Sequence, residues 1–75
     1  MTGWENHERI AAMTRSEAAY VRRLRVEEDD SWRGIAYECS RQWGGDWGDN
    51  QRAGMELCRR AALLFGEDYM SSPWN

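Results

Sequence analysis

Residues 31–45 read SWRGIAYECSRQWGG, and the spacing of their apolar side chains decides the fold. Trp32, Ile35, Ala36, Cys39 and Trp43 stand at i, i+3, i+4, i+7 and i+11, which is one face of an α-helix. Ser31 or Asp30 can cap its start, and Gly44 and Gly45 can take the positive φ that ends it.

Upstream, Thr14 followed three residues later by Glu17 fits a capping box. The helix behind it is expected over about 16–28, with Ala18, Val21 and Leu24 turned inward. The acidic run EEDD at 27–30 opposes the dipole of the helix it ends and favours that of the helix it precedes. Four adjacent acids cannot converge on one metal ion. A short helix is expected from Glu5. Downstream, Asp49 or Asn50 caps a helix over about 50–65, and Gly66 stops it. Its apolar positions read as Met55, Cys58, Ala61, Ala62 and Phe65, with Leu57 and Leu64 beside them. Strand signals are lacking. The expectation is an all-α single domain over 1–75, with three main helices, a short N-terminal helix, loose residues 1–4 and a non-helical tail over 67–75. Trp74 is expected to fold back onto the body.

Seventy-five residues bury only about 60% of the surface their unfolded chain exposes. Five tryptophans supply much of that small core, and a deep substrate pocket would compete with it. The net charge is −3, and all ten basic residues are arginine. This balance argues against nucleic-acid binding by bulk charge, while leaving room for a local basic face. Cys39 and Cys58 lie on apolar helix positions outside any CxxC pair, and read as small core residues; a disulfide between them stays geometrically open. The N-terminal MTGWENHERI has no apolar core, and the longest apolar run is AALLF at 61–65. The expectation is a soluble cytoplasmic protein with no membrane partner and no cofactor.

The loop RQWGGDWGDNQR, residues 41–52, invites a test as a ligand site. Its glycines at 44, 45 and 48 match no phosphate-binding spacing, and no strand precedes them. As a calcium loop from Asp46 it would carry Gln51 at the sixth position and Leu57 at the twelfth, where glycine and glutamate are needed. It reads as a connector whose indoles plug the gap between helix ends. HERIA at 7–11 lacks the second histidine of a zinc-protease helix. His7 has no nucleophile at a catalytic spacing. The expectation is therefore a protein without enzymatic activity and without a metal.

The segment VRRLRVEEDDSWRGIAYE, residues 21–38, resembles the first half of a helix-turn-helix DNA-binding domain. Ser-Trp-Arg-x-Ile-Ala opens its second helix, and Ile35–Ala36 matches the aliphatic–alanine pair. The resemblance covers about 18 of the 75 residues. It implies a DNA-binding transcription regulator that would act on double-stranded DNA as a homodimer. The reading helix would then carry Asn50, Gln51, Arg52 and Arg59 to base edges, with Arg22, Arg25 and Arg33 on phosphates. The departure is the loop, which stands where that family has a turn of three or four residues. In overall style the chain is also similar to small proteins of phages that infect GC-rich bacteria. A second expectation comes from the indoles: Trp43, Trp47 and Trp74, with an acidic rim, would anchor an inhibitor or adaptor to a host protein.

Overall fold

The computed structural model describes residues 4–75. Of the segment expected to be loose, residues 1–3 lie outside the described residues, and Trp4 opens a 3-10 turn, Trp4–Asn6. Four helices follow: α1 (Glu8–Ala11), α2 (Arg15–Arg22), α3 (Trp32–Trp43) and α4 (Gln51–Leu64). The architecture is all-α.

Local chemistry sets each boundary. The Thr14 side chain accepts from the Glu17 N–H, and Glu17 accepts from the Thr14 N–H, so the capping box closes at α2. Beyond Arg22 the chain widens into π-type turns over Arg23–Glu27, where the Glu28 N–H bonds the Arg23 carbonyl. Asp29 then takes a positive φ of 54°. Ser31 caps α3 through the Gly34 N–H, and Asn50 caps α4 through the Ala53 N–H. Gly44 ends α3 in the left-handed region, and Gly45 N–H closes back onto the Ser40 carbonyl.

The loop between α3 and α4 does not reverse the chain in a tight turn. It runs back along α3. Trp47 Nε1 donates to the Ala36 carbonyl at 2.9 Å, the Ser40 hydroxyl donates to the Gly45 carbonyl, and Arg33 meets Asp49 at 2.8 Å. Both helices therefore start from the same end of the molecule. Gly54, in the first turns of α4, lies so close to α3 that a Cβ there would fall 1.8 Å from the Trp32 carbonyl oxygen.

α4 is the hub: α2, α3, α1 and the 3-10 turn all rest on it. Its inward face is Ala53, Gly54, Leu57, Cys58, Ala61 and Ala62, all buried. Small residues at this spacing let neighbouring helices approach closely. This corrects the expected inward set: Met55 is exposed, and Leu57 takes the core position. Ile35, Ala36 and Cys39 fill the α3 side, flanked by half-buried Trp32 and Trp43. The tail folds back as expected, and Trp74 is fully buried in the same core.

Candidate contact surface

The outward stripe of α4 consists of Arg52, Met55, Arg59 and Leu63, spaced i, i+3, i+7 and i+11. Met55 is 37% exposed and Leu63 57%. Arg52 stands in solvent and makes no hydrogen bond or ion pair to any described residue. Arg59 folds onto Glu56, one turn back, with Nε and Nη2 both donating to the carboxylate. Glu56 is itself buried, so this pair is part of the helix surface rather than a loose charge.

The residues expected to touch DNA are scattered in role. Gln51 and Arg52 are exposed at the start of α4. Asn50 is occupied as the helix cap. Arg33 pairs with Asp49, and both remain exposed; the guanidinium holds the Asp49 carboxyl below the usual carboxylate range. Arg22 makes two 2.9 Å hydrogen bonds to Glu67. Arg25 lies 3.6 Å from the centroid of the Trp32 ring and donates to the carbonyls of Trp74 and Asp30. Four of the five candidate arginines thus have partners within the chain, and Arg22 and Arg25 fasten the tail to α2 and to the turns that continue it.

The indoles are likewise committed. Trp47 is 5% exposed and Trp74 is fully buried, so neither offers a surface. Trp43 is half-buried under the Arg9 guanidinium, 5.0 Å from its ring, and meets Tyr20 edge-on. Among the described residues the exposed large apolar side chains are instead Tyr37, Met55, Leu63 and Met70. Leu63 could have been picked out from the pattern. It falls opposite the buried stripe at 53, 54, 57, 58, 61 and 62.

A shallow depression of about 500 Å³ is lined by His7, Glu8, Arg9, Ala12, Gly44, Gly45 and Asp46. The His7 imidazole has a structural role there. Nδ1 accepts from the Arg9 N–H and caps α1, which leaves the proton on Nε2, 3.4 Å from Asp46. Trp4 stacks on the ring and Trp47 meets it edge-on. Such a histidine clamps the N-terminal segment to the loop. Burial pushes both thiols up, Cys58 to about 12, so neither is a poised nucleophile. Among the described residues no three His, Cys, Asp or Glu side chains gather to hold a metal ion. Among them, too, no helix is long and apolar enough to cross a membrane.

No family model, curated protein or solved structure matches the chain.

Proposed function

We propose that the chain is a protein-binding module that docks through the outward stripe of α4. One observation carries this reading: Met55 and Leu63 face solvent on the central helix of a core that is otherwise closed by Trp47 and Trp74. Isolated exposed apolar residues need no explanation, but two on one stripe beside an arginine with no partner among the described residues form a patch of the kind protein contacts use. The anchors of the adaptor or inhibitor role thus pass from the indoles to this stripe.

The test is photocrosslinking in cells that express the chain. A benzophenone amino acid replaces Leu63 in one version and Ala19, exposed on α2, in a control. A discrete protein adduct from position 63 and none from position 19 is expected. Absence of a protein adduct at 63, or equal adducts at both positions, would remove the reading.

A second reading, a DNA-binding regulator, is favoured by the exposed Gln51 and Arg52 at the start of α4. The Arg33–Asp49 pair nearby is also exposed, and such pairs are weak enough for a phosphate to displace the carboxylate. Its test is a duplex-binding assay at low and moderate salt, where phosphate contacts give a steep salt dependence. Lack of any complex at low salt would end it.

A further inference from the structure

Resting on the docking role of α4, we propose that its partner presents an amphipathic helix with an acidic rim. Met55 and Leu63 are eight residues apart, about 12 Å along a straight helix. Between them the stem of Arg59 adds aliphatic surface, because its guanidinium is drawn back onto Glu56. The stripe is a convex ridge of side chains without a strand edge. A docking strand would find no backbone groups to pair with, and its own N–H and C=O would lose water without compensation. A helix satisfies its backbone internally and can lay apolar residues at matching intervals on Met55 and Leu63.

The area fits a single helix rather than a second copy of the chain. A stable dimer buries about 800 Å² per partner. The stripe from residue 52 to residue 63 is about 17 Å long and one helix wide, which gives about 200 Å². Charge selects the sign of the partner. Arg52 is exposed and has no hydrogen-bond or ion-pair partner among the described residues, while the carboxylates that flank it in sequence, Asp49 and Glu56, are already taken by Arg33 and Arg59. This face is therefore cationic on a chain whose net charge is −3. A carboxylate on the rim of the docking helix would pair with Arg52, and a basic partner would be repelled.

The crosslinking protein with the benzophenone at position 63 provides the test. It is compared in three forms: unchanged, with Arg52→Glu, and with Arg52→Lys. Arg52 is exposed in the first turn of α4, so Arg52→Lys should keep the melting temperature and Arg52→Glu, which suits the helix dipole, should keep or raise it, which excludes a folding artefact. The expected result is that Arg52→Glu lowers the adduct yield about fivefold while Arg52→Lys retains it, the size expected for reversing one exposed charge. The crosslinked segment, mapped by mass spectrometry, should be helical in pattern with more Asp and Glu than Lys and Arg. A strong adduct indifferent to Arg52→Glu, or mapped to a basic or non-helical segment, would leave α4 as a docking face and overturn the acidic helix. An adduct to nucleic acid or to a second copy, or none at all, would overturn both.

Discussion

Glu67 and Trp74 are joined by a 2.7 Å hydrogen bond from the indole Nε1 to Oε1, and the same carboxylate accepts two hydrogen bonds from Arg22 on α2. The Trp74 carbonyl in turn accepts from Arg25. The tail is thus a structural member: an aromatic plug held by two arginines that looked like surface charges in the sequence. Trp74→Ala should cost about 3–5 kcal/mol, the usual loss for a large buried aromatic. In a domain this small that approaches the whole stability, so the variant should be largely unfolded by far-ultraviolet circular dichroism at 37 °C. Trp74→Phe keeps most of the apolar volume and loses the indole donor, and should fall in between. A fully folded Trp74→Ala variant would show that the tail is dispensable.

Acid should loosen the same clamp. Arg22 first, and then the Trp74 donor, hold the Glu67 carboxyl below its ordinary range. Arg9, followed by the Thr14 backbone, does the same for Glu17. A carboxyl whose folded pKa is depressed contributes stability that is present above its unfolded value, about 4.3 for glutamate, and lost as pH falls through the folded value. The urea midpoint should therefore hold steady from pH 7 to pH 5 and drop below about pH 4.3. Glu67→Gln should be less stable than the parent at pH 7, and the gap should close as the pH approaches 3. Parallel curves for the two proteins would mean that Glu67 does not titrate with folding.

Gly54 gives a prediction whose sign is informative. In an exposed helix interior, Gly→Ala stabilises by about 1 kcal/mol. Here the new Cβ would sit 1.8 Å from a backbone oxygen of α3, which cannot swing aside as a side chain can. The two helices would have to separate at their shared end. Gly54→Ala should cost about 1–3 kcal/mol net, the usual penalty for overfilling a packed site. At about 4–8 °C per kcal/mol for a domain of this size, the melting temperature would fall visibly. A raised melting temperature would refute the close crossing of Trp32 over α4.

How far the sequence could be read follows from where each signal lies along the chain. The caps Thr14, Ser31 and Asn50 and the stop at Gly44 act on residues within a few positions, so local pattern located them. The stripe of α3 was legible because its inward side chains are apolar while the charged ones lie outside. α4 was harder. It has apolar residues on both sides, and the core took the small ones, Ala53, Gly54, Ala61 and Ala62, in preference to Met55. Hydrophobicity alone ranks Met55 above those residues; only the need for close helix approach reverses the order. The arginine pairings were invisible for a different reason. Arg22 meets Glu67 across 45 residues and Arg33 meets Asp49 across 16, so neither follows a helical interval. The resulting fold recast guanidinium groups expected at a partner as internal braces.

Asn50 and Arg52 stand two residues apart and should separate structure from contact. Asn50 accepts the Ala53 N–H as the cap of α4, so Asn50→Ala should lower stability by about 1 kcal/mol. Arg52 is exposed and makes no hydrogen bond or ion pair to any described residue, so Arg52→Ala should change stability by less than about 0.5 kcal/mol. Their effects on partner capture should run the other way. Loss of Arg52 weakens docking without moving the urea midpoint, whereas Asn50→Ser keeps a capping oxygen without adding charge and should leave capture near the parental level. Urea titrations beside crosslink yields at position 63 measure both. If Arg52→Ala shifts the midpoint while Asn50→Ala does not, the start of α4 is built differently from the cap described above, and Arg52 becomes a brace like Arg22 and Arg25 rather than a free contact.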